Sequence, residues 1–300
     1  MHVRAVTAAM LRMLRNAPSL LIVQGDTSSA LGGALAGFAA RVPVAHVEAG
    51  LRTHDPALPW PEEEYRTAID AEADLLFAPT DLAARNLRDE HAPGEIHVTG
   101  NTGIDALLRV EARLPPPSAS SRPVVLVTCH RRESWGDGVE AIAAALKMLA
   151  AERLARIDLI LHPNAHVALS MCTLLDGVPG ITLQPPCGHE ELIRRIRDAD
   201  LVLSDSGGIQ EEAPALGTPL LVLRDKTERP EGIATGNMRL VGTDPQRIVV
   251  EARHLLTDPL ARAAMSRRAF PYGDGHAAPR IAAIIDDWCQ NRTGLERRLA

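Results

Sequence analysis

The stretch from Ser204 to Glu231, SDSGGIQEEAPALGTPLLVLRDKTERPE, sets small polar residues and two glycines ahead of paired carboxylates and a second charged cluster. Ser206, Gly207 and Gly208 stand where a strand breaks into a helix, and the first N–H groups of a helix have no partner within it. Bare amides at the positive end of a helix dipole seat an anion such as phosphate. Glu211 and Glu212 follow within the next turn, and carboxylates there accept hydrogen bonds from sugar hydroxyls. A phosphate beside a ribose describes a nucleotide.

Four further polar clusters follow strand candidates. In QGDTSS, Asp26 ends a strand and Thr27, Ser28 and Ser29 open a helix; an Asp or Ser in that place also serves as a helix cap. In HVEAGLRTHDPALPWPEEEYR, His46 and Glu48 end a strand, a proline-rich loop follows, and Pro61 starts a helix with Glu62, Glu63 and Glu64 in its first turn. Acids in a first turn also complement the helix dipole. In TCHRRESWGDG, His130, Arg131, Arg132 and Glu133 follow the strand VVLVT, and guanidinium forks bind phosphate oxygens two at a time. In LHPNAHV His162 ends another strand, and Arg224 and Thr227–Glu231 follow one more strand. Carboxylates (Asp26, Glu48, Glu62) come from the first part of the chain. Cationic and anion-binding groups (His130, Arg131, Ser206, Gly207) come from the second. That division suits an enzyme that holds a nucleotide diphosphate with one domain and does acid–base work with the other.

Short aliphatic runs position these clusters. Strands are expected at 19–26, 42–48, 73–78, 95–99, 123–128, 157–162, 181–184, 201–205, 219–223 and 239–242, with helical periodicity over 29–40, 80–90, 139–152 and 189–198. Regular alternation with near-continuous apolar strands such as LLIV and VVLV predicts parallel sheets covered on both faces. RLPPPSASSRP, residues 113–123, reads as an exposed linker. The expected architecture is α/β: two Rossmann-like domains, residues 1–115 and 122–268, around a cleft at the carboxyl ends of their strands. Residues 269–300 form a C-terminal helix that packs back toward the first domain. The chain opens on a basic amphipathic helix feeding SLLIVQGD, so the first domain begins in mid-pattern.

Composition excludes several classes. A net charge of −6 gives no electrostatic reason to expect nucleic acid. No apolar run approaches the roughly 20 residues that span a bilayer. Cys129, Cys172, Cys187 and Cys289 lack metal-finger spacing and read as buried thiols of a reducing, cytoplasmic compartment.

The ordered motifs GDTSS, HVEAGLRT, PWPEE, APT, VTGNTGIDAL, HRRES, SDSGGIQEEAP, TERPE, GTD and PYGDG, from about Gln24 to Arg280, resemble the non-hydrolysing UDP-N-acetylglucosamine 2-epimerases of bacteria. The resemblance implies a glycosyltransferase-B architecture, a UDP-sugar substrate, and interconversion of UDP-GlcNAc and UDP-ManNAc for cell-surface polysaccharide synthesis. It implies a homodimer and no metal or nicotinamide cofactor. In that mechanism loss of UDP from C1 is coupled to removal of the C2 proton, giving 2-acetamidoglucal, and UDP re-adds as a proton reaches the opposite face of C2. Carried over by motif, Asp26, Glu48 and Glu62 are the acid–base candidates and His130 is catalytic near the diphosphate. Ser206, Gly207 and Gly208 form the phosphate-binding turn, Glu212 holds the ribose, and Arg131 and His162 are supporting contacts. The family's GTRPE-like turn, with its arginine and nearby lysine, does not occur in the sequence. The expectation is therefore a first domain incomplete at its N-terminus by about two βα units. Two rivals share the architecture: a catalytically impaired UDP-sugar-binding paralogue and a glycosyltransferase.

Overall fold

The computed structural model describes residues 2–16, 18–117, 120–129 and 137–299. By its internal contacts the chain divides into two compact units, residues 1–105 with 272–300, and residues 106–271.

Unit 1 begins with α1 (His2–Met13) and alternates β1 (Leu21–Gln24), α2 (Ser28–Ala40), β2 (Val44–Val47), α3 (Glu62–Asp70), β3 (Leu75–Ala78), α4 (Asp81–Asp89) and β4 (Glu95–Val98). Its four strands run parallel in the order β1-β2-β3-β4. Alternation within the strands builds both faces. Leu76 and Ala78 of β3 join Val23, Val44, Ala84 and Leu87 in one core, while Leu75 and Phe77 join Ala45 and Val47 in another. The second core is closed by α13 (Ala277–Leu299), through Ile281, Ile284, Ile285 and Trp288. β2 is buried at all four positions although its third residue is His46. An ionisable group there must find partners on the helical face.

α5 (Thr102–Glu111) leads the chain out of unit 1, and its Asp105 caps the returning α13 by accepting from the amides of Ala277 (3.0 Å) and Ala278 (2.7 Å). Asn101 N–H donates to the Tyr272 carbonyl at 2.7 Å. The motifs TGNTGID and PYGDG thus form a structural joint within unit 1.

Unit 2 runs β5 (Val124–Thr128), α6 (Asp137–Glu152), β6 (Arg156–Ile160), α7 (Ala165–Leu175), β7 (Ile181–Gln184), α8 (His189–Asp198), β8 (Leu201–Ser204), α9 (Gly207–Leu216) and β9 (Leu220–Val222). It continues through α10 (Glu231–Ala234), β10 (Met238–Leu240), α11 (Pro245–Thr257) and α12 (Pro259–Met265). The strands are parallel, in the order β10-β9-β8-β5-β6-β7. Val125 and Val127 pack with Ile142 and Leu146 of α6 and with Ile248 and Ala252 of α11. Each of the ten strand candidates overlaps one of the ten strands among the described residues; β6 and β10 each begin one residue before their candidate, at Arg156 and Met238. Among the described residues no helix is long and apolar enough to cross a membrane. No cysteine among them forms a disulfide; Cys129 is buried, with Sγ 3.6 Å from Asp205 Oδ2.

Candidate functional site

Parallel strands end level with one another, so the residues just beyond them gather along one rim. In unit 1 Gln24 pairs in register with Val47, and Asp26 and Glu48 leave adjacent strands. Gly25 is the hinge of this group. It has φ +69°, in the left-handed region that glycine enters without cost, and a Cβ built on it would lie 3.4 Å from Glu48 Oε2. Glu48 has φ +71°, a conformation that costs a non-glycine residue on the order of 1–3 kcal/mol. Its amide and that of Ala49 both donate to the Phe77 carbonyl at 3.1 Å, which holds the turn. Gly50 completes it: with φ +82°, a Cβ there would meet the Ala83 carbonyl oxygen at 2.3 Å.

Asp26 is half-buried and is not the cap of α2; Thr27 is, accepting from Ala30 N–H at 3.2 Å. Its Oδ2 instead accepts from Arg66, from Nε at 3.0 Å and also from Nη2. Arg66 is 1% exposed, and its Nη1 donates to Glu63 Oε2 at 2.7 Å. Glu63 Oε1 in turn accepts from the amides of Thr53 (2.9 Å) and His54 (3.0 Å). Of the three first-turn glutamates, Glu63 is buried and fastens the proline-rich loop, Glu64 is exposed, and Glu62 stands half-buried at the first position of α3. Arg66 and Glu63 were not among the sequence candidates. Their signal was a helical stripe, Glu63, Arg66 and Asp70, three and four residues apart on one buried face.

Behind this rim lies His46. Its Nδ1 is 2.5 Å from Asp70 Oδ1 and its Nε2 is 3.0 Å from the Gly25 carbonyl. Asp70 Oδ2 also accepts from Gly50 N–H (3.1 Å) and pairs with Arg52 Nη2 (2.8 Å). Arg52 continues to Glu90 at 2.7 Å. Burial works against charge on His46, but the Asp70 carboxylate outweighs it and holds the imidazole above its ordinary value. Asp70, whose burial opposes ionisation, is held below the usual carboxylate range by His46 and Arg52.

In unit 2 Thr128 is in register with both Ile160 and Ser204, so β6, β5 and β8 end level and His162 and Ser206 follow two residues beyond. Ser206 is the N-cap residue of α9, yet its hydroxyl makes no capping bond. Its amide donates to Ser204 Oγ at 3.0 Å, and that hydroxyl is fixed by Thr128 Oγ1 at 2.7 Å. Gly207 and Gly208 supply the first turn of α9. Gly208 is exposed, with nothing within 4 Å of where a Cβ would sit. Glu212, further along α9, is half-buried, and its Oε1 lies 2.8 Å from Nε2 of the exposed His189 at the start of α8. Hydrogen bonding to Glu212 raises the His189 pKa. Glu211 does not share this role: it is buried and accepts from Arg229 Nε at 2.6 Å. Arg229 also pairs with Glu228, and Glu228 with Arg224 at 3.0 Å, so the RDKTERPE segment is tied to α9 by a buried ion network. His162 Nδ1 accepts from Asn164 N–H at 2.9 Å, which turns the loop into α7. His130 and Arg131 lie outside the described residues.

The structure therefore brings Asp26, Glu48 and the α3 start together in unit 1, and Ser206, Gly207, Gly208 and Glu212 together in unit 2. Two parallel α/β units with polar groups at the carboxyl ends of their strands define the glycosyltransferase-B-like class. The sequence profile of the UDP-N-acetylglucosamine 2-epimerase family matches residues 2–286. The UDP-N-acetylglucosamine 2-epimerase of Escherichia coli K12 is 45% identical over 293 residues, covering 93% of this chain and 77% of the relative. That of Salmonella typhimurium is 44% identical over 286 residues, 90% of this chain and 76% of the relative. The crystal structure of the Neisseria meningitidis UDP-GlcNAc 2-epimerase bound to UDP-GlcNAc superposes with a TM-score of 0.92 at 35% identity, covering 95% of this chain and 81% of that one. The chain belongs to the UDP-N-acetylglucosamine 2-epimerase family, a family of isomerases.

Proposed function

We propose that the protein is a non-hydrolysing UDP-GlcNAc 2-epimerase that interconverts UDP-GlcNAc and UDP-ManNAc, supplying cell-surface polysaccharide synthesis. The observation that carries this reading is the grouping of Asp26 and Glu48 on the Gly25 turn, beside the helix start that bears Glu62, in a chain of this family. In unit 2 the Ser206 hydroxyl and the amides of Gly207 and Gly208 receive the diphosphate, Glu212 accepts from the ribose hydroxyls, and His162 and Arg131 support the nucleotide. His130 stabilises charge on the departing diphosphate.

The C2 proton of the sugar has no neighbouring carbonyl to stabilise a carbanion, so its removal is coupled to leaving-group loss. One carboxylate of unit 1 takes the proton from C2, the electron pair forms the C1–C2 double bond, and the C1–O bond breaks to release UDP. The products are 2-acetamidoglucal and UDP. A carboxylic acid then delivers a proton to the opposite face of C2 while UDP oxygen re-forms the bond at C1. A base and an acid on opposite faces of one carbon call for more than one carboxylate, and Asp26, Glu48 and Glu62 supply them. Oriented amides and cations meet the charge that develops on the leaving diphosphate.

Incubating UDP-GlcNAc with the protein in D₂O tests the reading. Deuterium at C2 of both epimers is expected. Measurable UDP binding with no incorporation would leave a nucleotide-sugar-binding protein and overturn the assignment.

A further inference from the structure

His46 has no assigned part in this chemistry, yet it is the only ionisable side chain on β2 and is 0% exposed. Both of its ring nitrogens face oxygen. The Gly25 carbonyl at 3.0 Å can only accept, so Nε2 must carry a proton. Asp70 at Nδ1 already takes the Gly50 amide and the Arg52 guanidinium on its other oxygen. Those two donors keep Asp70 ionised, and the second proton therefore belongs to Nδ1.

We propose that His46 is a positioning residue for the epimerase reaction. Held as an imidazolium that donates through both nitrogens, it locks the Gly25–Asp26 turn to α3 and supports the negative charge of Glu48. The inference rests on the function proposed above. Gly25 links the two effects, because its carbonyl accepts the hydrogen bond from His46 Nε2–H while Glu48 Oε2 lies 3.4 Å from where its Cβ would sit. The groups facing His46 are Asp70 from α3, the Gly25 carbonyl from the turn after β1, and Glu48 from the end of its own strand; Arg52 stands behind Asp70. The upward displacement of its pKa agrees with this arrangement.

Two measurements test the proposal. In wild-type protein labelled with ¹⁵N-histidine, NMR should find both His46 ring nitrogens protonated at pH about 7, above the ordinary histidine value of about 6.5. An unprotonated ring nitrogen at pH about 7 would overturn the proposal, whatever the catalytic result. In His46→Gln, kcat for C2 exchange should fall about 10- to 100-fold with KM for UDP-GlcNAc nearly unchanged. The acidic limb of its pH profile should move up by about one unit, since a carboxylate that loses a nearby cation ionises at higher pH. A lower kcat with an unmoved acidic limb would reduce His46 to a packing residue and sink the idea. Failure of the wild type to exchange deuterium would instead remove the proposed function, and the NMR result would still decide the protonation state.

Discussion

Arg66 and Asp26, forty residues apart, form an ion pair in which a guanidinium that is 1% exposed holds a half-buried carboxylate. Arg66 also binds Glu63, so one side chain fixes both the acid–base candidate and the loop leading into α3. A planar fork does this, and an ammonium cannot reproduce its spread of donors. Arg66→Lys should keep the charge, lower the rate of C2 deuterium exchange by about 10- to 100-fold and leave UDP affinity within about twofold. Arg66→Met should go further, removing about 3–5 kcal/mol of stability because two carboxylates lose their buried partner. Urea unfolding and exchange kinetics on the two variants check this. Wild-type exchange in Arg66→Lys would separate Asp26 from the chemistry.

The buried chain from His46 through Asp70 to Arg52 makes stability depend on pH from both sides. Asp70 has its folded pKa below the ordinary carboxylate value of 3.8, so its contribution is complete above that pH and is lost as pH falls through the folded value. His46 has its folded pKa above 6.5, so its contribution is complete below that pH and disappears as pH rises through the folded value. The pair therefore contributes most between about pH 4 and 6.5. Above that window wild-type stability should fall by up to about 1.4 kcal/mol per pH unit for the one proton involved. Urea midpoints from acid to alkaline pH should show this alkaline decline in the wild type and its loss in His46→Gln. Identical alkaline slopes in the two proteins would contradict the buried pair.

These relationships mark where the sequence was legible. Strands such as Leu201–Ser204 announce themselves because a strand buried on both faces needs four consecutive apolar or small residues. Asp26, Glu48 and Ser206 were legible because each follows such a run, where a parallel sheet opens its rim. Arg66 was not, because the buried stripe it shares with Glu63 and Asp70 is charged, and its pairing with Asp26 joins two elements forty residues apart. Among Glu62, Glu63 and Glu64, each step turns the side chain by about 100°, so only packing against the sheet decides which one is buried. In α7, Val167, Met171 and Leu175 form the buried stripe while Leu169 is exposed, so apolar residues on both faces blur the helical period. TGNTGID and PYGDG carry the family resemblance in the sequence, and their Asp105 and Tyr272 serve the joint at the start of α13.

Glu212 carries the last prediction. His189 occupies one of its oxygens at 2.8 Å, and the ribose reading needs the carboxylate to accept from a sugar hydroxyl as well. A hydrogen bond to a charged acceptor is worth about 1.5–3 kcal/mol, so Glu212→Ala should weaken UDP binding by about 10- to 100-fold. The same variant should bind UDP and 2′-deoxy-UDP nearly equally, whereas the wild type prefers UDP. His189 is exposed, and an exposed ion pair contributes about 0–1 kcal/mol, so His189→Ala should change UDP affinity by less than about fivefold. Calorimetric titration of both nucleotides into the three proteins separates these terms. A wild type that binds the two nucleotides equally would take the ribose away from Glu212 and leave it as a partner of His189.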